Sequence, residues 1–332
     1  MINETNEMPQ HNGFSTVGYT FPVLDQGWVR LTDTMGSDMA VVRRARRSYG
    51  EPPFRGWDKE IGLLDTLMRH NHKSVFQAGR MVIAAQLPIE TIREADRHRT
   101  LDMHGDTALD GDGPGTPLIL YSVDPSMRKF VNKNEASGRY IDMTEFPVRL
   151  QEYDRIRGKG KVNKQSSEGE IAHEDKLWFM ENEKAIKEGA VEFIREAQRR
   201  GIAYEVARDV MPLGHYTIIE LDGDCLWWME FFRLRLAPGA KEEIRKFAAV
   251  CYEFFKALFP KMAELFEEHT LYSTKFSRTE TEILKIMTDR LIQLEQQRNP
   301  QATFDKEKYL RDYATVANLK GGIVSEFVAK LS

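Results

Sequence analysis

Residues 67–89 read LMRHNHKSVFQAGRMVIAAQLPI and combine the end of a helix, a turn and a strand. Apolar residues between Trp57 and His70 recur on one face at helical spacing, which predicts a helix there. The run RMVIAAQL at 80–87 is short, apolar and bounded by glycine and proline, which is typical of a strand. A helix from Pro88 to about Arg97 should follow, because proline in the first turn loses no helical hydrogen bond.

Toward the N terminus the periodicity weakens. Residues 1–24 are polar and show no sustained pattern, so we expect a flexible arm followed by a short strand at 27–32. The first helix should begin after Ser37, whose hydroxyl can accept from the free N–H groups of a first turn. The basic run 43–47 on that helix is expected to be a solvated face.

Downstream, a long stretch lacks periodicity. Residues 101–131 contain DMHGDTALDGDGPGTP and should form an inserted flap, because loops of more than about 15 residues are uncommon unless functional or disordered. Its acidic residues lack a calcium-loop register, so no metal site is predicted. Residues 155–174 are also loop-like. Beyond them we expect one strand at 215–221 and helices at 173–200, 203–210, 224–236, 241–269, 280–297 and 305–331.

These elements predict a helix-dominated α+β protein with a small mixed or antiparallel sheet. A hydrophobic content of 41% in 332 residues supports a sizeable core and excludes a disordered chain. The formal charge of −4 argues against a nucleic-acid partner. No apolar run approaches the roughly 18 to 20 residues of a membrane span, so we expect a cytoplasmic protein without a membrane partner.

The two cysteines, Cys225 and Cys251, exclude a disulfide scaffold and a cysteine-rich zinc site. Both lie in apolar helical sequence, where a thiol pKa tends to rise, so we expect structural rather than nucleophilic thiols. The aromatic stripe at 227–232 is likewise expected in the core or at a subunit interface.

Two polar motifs point to chemistry. Arg97, His98 and Arg99 end a predicted helix, where cations gain from the helix dipole or can clamp a phosphate or a flavin. NEASGRY at 134–140 places an acceptor, a hydroxyl and a guanidinium close together. Joined, RHRT at 97–100 and NEASGRY resemble the signature of flavin-dependent thymidylate synthases, with residues 101–133 separating the two halves.

Other segments extend this resemblance over roughly residues 24 to 270, in order and at compatible spacing. They are 35–49, 67–89, 163–169, 206–217 and 231–248. The resemblance implies the fold of that family and a homotetramer with active sites at subunit interfaces. It also implies FAD as cofactor, with NADPH and 5,10-methylenetetrahydrofolate as co-substrates.

Methylation at uracil C5 requires that the flat ring become nucleophilic. One route adds an enzyme thiolate at C6, which needs an activated cysteine. The other takes hydride from reduced flavin while arginines stabilise the polarised ring. A chain without a plausible nucleophilic cysteine but with spaced arginines favours the flavin route.

The resemblance also implies roles for individual residues. Ser137, Gly138 and Arg139 would hold the nucleotide phosphate, and Arg208 and Arg235 would act on the substrate and its base. Arg235, Arg208 and Ser137 form the implied catalytic set, with Glu94 and Arg97 as further substrate contacts. The implied flavin contacts are Ser48, Ser74, Arg97, His98, Arg99, Asn134 and Glu135.

Several positions depart from the family pattern. Gln77-Ala78 replaces an expected Glu-His pair, Glu94 stands for glutamine, Asp224 and Glu230 stand for asparagines, and GAK at 239–241 replaces His-Ala-Gln. An ionised carboxylate only accepts hydrogen bonds, so it cannot reproduce those of an amide. Either the flavin sits differently, or the substrate or the one-carbon donor has changed.

We therefore expect flavin-dependent C5 methylation or hydroxymethylation of a pyrimidine nucleoside monophosphate in nucleotide biosynthesis, with dUMP as the default substrate. UMP and dCMP remain open, as does a nucleotide-binding homologue that has lost catalysis. The expected organisation is an arm at 1–24, a catalytic domain at 25–270 with the flap at 101–131, and a helical C-terminal extension at 271–332.

Overall fold

The computed structural model describes residues 14–50, 53–96, 132–160 and 167–298. Within them, five strands form one sheet in the order β1-β2-β3-β5-β4. Every neighbouring pair is antiparallel, so the sheet is the antiparallel one of the two types expected. The strands are β1 (Thr20–Val23), β2 (Gly27–Met35), β3 (Arg80–Pro88), β4 (Asn132–Glu135) and β5 (Tyr216–Asp224).

Helices account for most of the remaining described residues, which confirms the helix-dominated class. They are α1 (Asp38–Arg47), α2 (Trp57–Arg69), α3 (Ile89–Ala95), α4 (His173–Arg199), α5 (Tyr204–Ala207), α6 (Cys225–Arg235), α7 (Glu242–Leu258), α8 (Pro260–Phe266) and α9 (Arg278–Arg298). Short 3₁₀ turns at Lys73–Ala78 and Arg208–Val210 border the candidate site.

The central strand, β3, confirms the strand predicted at 80–87. Its alternate side chains are buried, as the period of a half-buried strand requires. Ile83 is fully buried and lies opposite Leu31 of β2 and Leu221 of β5. The predicted strand at 215–221 is also present, and it continues to Asp224.

Helix α6 follows β5 directly and carries the aromatic stripe into the core. The Asp224 carboxylate accepts from the Trp227 N–H at 2.8 Å and caps the helix. Trp228, Phe231 and Phe232 are fully buried, and the indole N–H of Trp228 donates to the Met81 carbonyl at 2.9 Å. The stripe is therefore core, as expected, and it joins α6 to the sheet.

The N-terminal region differs from the predicted arm. The part of residues 1–24 that the structure describes begins at Phe14 and includes β1. Phe14 is only 1% exposed, and its ring centroid lies 4.9 Å from that of Phe254 in α7. Periodicity did not reveal this strand because a four-residue edge strand is too short to show one.

The helix predicted over 241–269 is wrong as one element, because it ends at Leu258 and a second helix starts at Pro260. Proline cannot donate to a continuing helix, which explains the break. The Asp38 carboxylate of α1 accepts from the N–H groups of Lys261 and Met262 at 2.9 and 3.0 Å, and so caps α8. The predicted cap by the Ser37 hydroxyl is absent.

The chain divides into two compact units, Met1–Leu271 and Tyr272–Ser332. In the second unit the described helix is α9, which begins with a capping box: Ser277 Oγ accepts from the Glu280 N–H at 3.3 Å, and the Glu280 carboxylate accepts from the Ser277 N–H at 2.7 Å. The helix predicted at 305–331 lies outside the described residues. Among the helices that are described, none is long and apolar enough to span a membrane.

Candidate active site

The edge strand β4 leads into a tight turn at 136–140. The Ala136 N–H donates to the Ile218 carbonyl at 2.9 Å and extends the pairing with β5 by one residue. Ser137 then closes the turn, because its carbonyl accepts from the Tyr140 N–H at 2.9 Å and its hydroxyl accepts from the Arg139 N–H at 3.3 Å. The second half of the sequence signature is thus fixed at one edge of the sheet.

Gly138 is buried and has no room for a side chain. A Cβ placed there would lie 2.9 Å from Met143 Cγ and 3.3 Å from Nη1 of Arg208. Arg208 follows α5 directly, at the start of a 3₁₀ turn. Glycine therefore lets the guanidinium of Arg208 approach the backbone of the turn, which unites two predicted site residues that are far apart in sequence.

A cleft of about 340 Å³ opens where the turn meets α3 and the segment after α5. Arg208 is half-buried there, and among the described residues its guanidinium makes no ion pair or hydrogen bond. The cleft is lined by apolar side chains and by charged side chains of both signs. They are Ile89, Arg93, Glu135, Ala136, Gly138, Met143, Arg208, Asp209, Met211 and Leu213.

Arg139 lies beside this cleft without lining it. Its Nη2 is 3.3 Å from the Glu205 carboxylate, and both side chains are more than half exposed. Exposed pairs of this kind contribute about 0 to 1 kcal/mol, so the pair is easily exchanged for another anion. The predicted phosphate ligand is therefore close to Gly138 but engaged with a surface carboxylate.

Arg235 ends α6 and reaches the end of α3. Its Nη2 donates to the Glu94 carbonyl at 2.7 Å, and Nη1 lies 3.9 Å from the Glu94 carboxylate. Two more charges lie on the same side of α3, because Lys241 contacts Glu90 at 2.8 Å. The structure thus brings Arg235 and Glu94 together, as two of the predicted substrate residues.

Burial shifts the pKa values of Glu94 and Arg235. It raises the pKa of the Glu94 carboxyl, although the neighbouring cations Lys241 and Arg235 act in the opposite sense. Burial also lowers the pKa of the Arg235 guanidinium, which the Glu94 carboxylate partly offsets. Arg235 stays charged because a guanidinium does not deprotonate in proteins, so a fixed cation stands in a partly desolvated site.

Two adjacent residues of α3 lie near the predicted arginines Arg208 and Arg235. Arg93 lines the cleft with Arg208, whereas Glu94 contacts Arg235. Arg93 is absent from the site residues predicted from the sequence. The sequence carries no distinctive signal for Arg93, because its position one helical turn after Ile89 points to the cleft only once the structure shows that Ile89 lines it.

The predicted flavin contacts that are described all lie at the surface. Ser48 is the C-cap residue of α1 and is exposed, and Ser74 is exposed in a 3₁₀ turn. Asn134 and Glu135 are exposed on β4, with the Asn134 side-chain oxygen accepting from the Glu135 N–H at 3.1 Å. Arg97, His98 and Arg99 lie outside the described residues, as does the predicted flap at 101–131.

The carboxylates that replace expected asparagines have internal partners. Glu230 contacts Lys73 and Arg233, each at 2.8 Å, and these cations hold the pKa of its carboxyl below the usual value despite burial. Asp224 caps α6. The Glu230 carboxylate is therefore compensated by two cations, one of which is the residue before Ser74.

Neither cysteine is placed for attack on a substrate. Cys225 and Cys251 are both free and fully buried. Burial raises the pKa of both thiols well above the usual value, so neither forms a thiolate readily. The expected burial of both thiols is confirmed. In the described part of the chain, no group of three or more His, Cys, Asp or Glu residues could hold a metal ion.

Comparison with known proteins identifies a family. The model of the family described as thymidylate synthase complementing protein matches residues 30–106 and 125–261, leaving a gap inside the predicted flap. The chain is 35% identical to the flavin-dependent thymidylate synthase of Thermus thermophilus, over 80% of this chain and 85% of that protein. It is 31% identical to the enzyme of the same name from Rickettsia conorii, over 80% and 84% of the two chains.

Solved structures share the fold. The UMP/dUMP methylase PolB from Streptomyces cacaoi, bound with 5-Br dUMP, superimposes with a TM-score of 0.59 at 24% identity, covering 76% of this chain and 99% of that one. The same methylase bound with 5-Br UMP gives a TM-score of 0.57, with 75% and 97% coverage.

Proposed function

The chain belongs to the thymidylate synthase complementing protein family, the flavin-dependent thymidylate synthases, and we propose that it methylates C5 of a pyrimidine nucleoside monophosphate. The default substrate is dUMP. We propose that residues 25–270 form the catalytic domain, which the family match over 30–106 and 125–261 supports. Residues 271–332 would then be a C-terminal extension.

One observation carries this proposal: the Arg208 guanidinium lies against the Gly138 backbone in a cleft and has no ion-pair partner in the described chain. A tight turn beside a guanidinium that makes no ion pair within the described residues suits a phosphate, because the guanidinium can donate two parallel hydrogen bonds. Arg139 would join by exchanging its exposed contact with Glu205 for the phosphate.

Arg235 would act at the base. Its hydrogen bond to the Glu94 carbonyl fixes the guanidinium before substrate arrives. A cation held in a partly buried position stabilises the negative charge that develops on a uracil carbonyl oxygen as C5 becomes nucleophilic. The ring is then activated without an enzyme thiol, in agreement with the burial of both cysteines.

The surface residues assigned to flavin fit such a group in chemistry. The hydroxyls of Ser48 and Ser74 are exposed and make no side-chain hydrogen bond within the described residues. Asn134 adds an exposed amide on β4, whose outer edge is unpaired in the described sheet. Neutral donors and acceptors of this kind suit the polar edge of a flavin ring and its sugar hydroxyls, and Arg97, His98 and Arg99 would supply cations for the phosphates.

When bound, reduced FAD supplies the hydride that turns the transferred one-carbon unit into a methyl group. We propose 5,10-methylenetetrahydrofolate as the source of that carbon and NADPH as the source of the electrons, with the C5 hydrogen leaving as a proton. Because the flavin-side residues that the structure describes, Ser48, Ser74, Asn134 and Glu135, are exposed in one chain, we propose that a homotetramer completes the site. The chain has two cysteines, both buried and neither in a disulfide, which suits a reducing compartment, and we propose that the enzyme is cytoplasmic.

The change from the expected glutamine to Glu94 bears on the base, which is uracil in dUMP and UMP and cytosine, with an amino donor, in dCMP. A carboxylate in place of an amide accepts but does not donate unless it is protonated. UMP and dCMP are therefore alternatives to dUMP as substrate, and hydroxymethyl transfer is an alternative to methyl transfer.

The test uses the purified full chain. A visible absorption spectrum first detects bound flavin, and mass spectrometry then follows dUMP, UMP and dCMP incubated with NADPH and 5,10-methylenetetrahydrofolate. We expect a flavin spectrum and one nucleotide that gains a CH₂ unit. A folded, flavin-free protein that binds nucleotides without converting any of them would instead identify a non-catalytic homologue.

A further inference from the structure

The cleft contains a second cation that the family signature does not include. Arg93 lies on α3, is exposed and lines the cleft together with Arg208. In the described residues the Arg93 guanidinium makes no ion pair and no hydrogen bond, and the same holds for Arg208. Two guanidinium groups without a partner in the described part of the chain therefore line one cleft of about 340 Å³.

Other cations of this region already have anionic partners. Arg139 contacts Glu205 at 3.3 Å, and Lys133 contacts Asp96 and Glu135 at 3.0 and 3.1 Å. Arg93 and Arg208 are different, because both line the cleft and neither pairs with a carboxylate among the described residues. A phosphate dianion can accept hydrogen bonds from two guanidinium groups at once.

The negative charges in the cleft limit what kind of phosphate fits. Glu135 and Asp209 line the same cleft, so it holds two carboxylates beside its two guanidinium groups. The two guanidinium groups are enough to balance the charge of one monoester phosphate. A further phosphate would bring additional negative charge against Asp209, which has no cationic partner among the described residues.

We infer that Arg93 binds the phosphate group of the nucleotide together with Arg208, and that Asp209 restricts the site to nucleoside monophosphates. This inference rests on the proposed function and adds two specificity residues to it. Arg93 makes its contact from α3, the helix whose next residue, Glu94, contacts Arg235. A single short helix therefore links the phosphate end of the site to the base end.

Calorimetric titration of the flavin-loaded protein with dUMP and with deoxyuridine tests the role of Arg93. We expect Arg93→Ala to weaken dUMP binding about 10- to 100-fold, the loss of one charge-assisted interaction, and to leave deoxyuridine binding unchanged. Arg93→Lys should recover part of the loss, because it restores charge without the planar fork. Arg200→Ala is the matched control, because Arg200, the C-cap residue of α4, is exposed and pairs with Glu196.

The outcomes separate this inference from the proposed function. Wild-type affinity for dUMP in Arg93→Ala, with weakened binding in Arg208→Ala, would overturn the role of Arg93 alone. A wild-type protein that binds no pyrimidine nucleotide would overturn both. For Asp209, titration with dUDP is decisive: Asp209→Asn should raise dUDP affinity relative to dUMP, and an unchanged ratio would overturn the selectivity.

Discussion

The guanidinium of Arg235 donates from Nη2 to the backbone carbonyl of Glu94 at 2.7 Å, so the end of α6 is fixed to the end of α3. A carbonyl at a helix C-terminus carries partial negative charge and is a good acceptor for a cation. The contact holds Arg235 in one orientation, and the nearby Glu94 side chain adds a carboxylate at 3.9 Å. A cation oriented before substrate binds costs little reorganisation during reaction.

Arg235→Ala should lower kcat by about 10²- to 10³-fold, the usual effect of removing one fixed donor to a developing oxyanion. Nucleotide affinity should change much less, because the phosphate contacts remain. Steady-state kinetics and calorimetry separate the two effects. Arg245→Ala is the control, since Arg245 also donates to a backbone carbonyl, that of Pro238, but through an exposed hydrogen bond. An equal fall in kcat for both variants would contradict the assignment.

Glu94→Gln should stabilise the protein more at neutral than at acidic pH. Burial raises the pKa of the Glu94 carboxyl, so the folded state disfavours the ionised form. Wild-type stability is therefore lost as pH rises from the unfolded carboxyl pKa of about 4.3 through the raised folded pKa, whereas glutamine does not titrate. Urea unfolding of both proteins at a series of pH values measures the difference, and a difference independent of pH would refute this prediction.

Arg139→Ala should weaken dUMP binding by about 1.5 to 3 kcal/mol without unfolding the protein, because it removes a charge-assisted hydrogen bond to phosphate. Glu205→Gln tests the exchange of partners. It releases Arg139 from its carboxylate, so dUMP affinity should be equal to or tighter than wild type. Calorimetric titration measures both variants, and weaker binding in Glu205→Gln would show that the ion pair supports the site.

Asp38→Ala should destabilise the fold by about 0.5 to 2 kcal/mol, the usual cost of losing a helix cap. The buried carboxylate accepts from two N–H groups at the start of α8, which the variant leaves without their partner. Urea denaturation measures the free energy of unfolding. Asp58→Ala, an exposed acidic residue in the first turn of α2, should change it by much less.

The sequence predicted those elements whose pattern is long and strong. β3, α2 and α6 appear where periodicity or a continuous apolar run predicted them. β1 and β4 were missed because each has four residues at or near a sheet edge, too few to show alternation. The break before Pro260 was also missed, because apolar spacing continues across it.

The candidate site was also predictable only in part. The motif at 134–140 and the arginines 208 and 235 were selected from sequence, but the contact of Gly138 with Arg208 depends on long-range folding that spacing does not encode. The ion pairs of Arg139 with Glu205 and of Glu230 with Lys73 could not be predicted from the sequence for the same reason. Arg93 was overlooked because a single arginine on a seven-residue helix has no distinctive pattern.

The central claim, C5 methylation without an enzyme thiol, is tested most directly by product analysis with a Cys225→Ala/Cys251→Ala double variant. The folded variant, loaded with FAD, is incubated with dUMP, NADPH and 5,10-methylenetetrahydrofolate, and the nucleotide is analysed by mass spectrometry beside the wild type. We predict that both proteins add one CH₂ unit at C5 and oxidise one NADPH for each nucleotide converted. Conversion by the wild type alone, with the double variant folded and flavin-loaded, would contradict the claim.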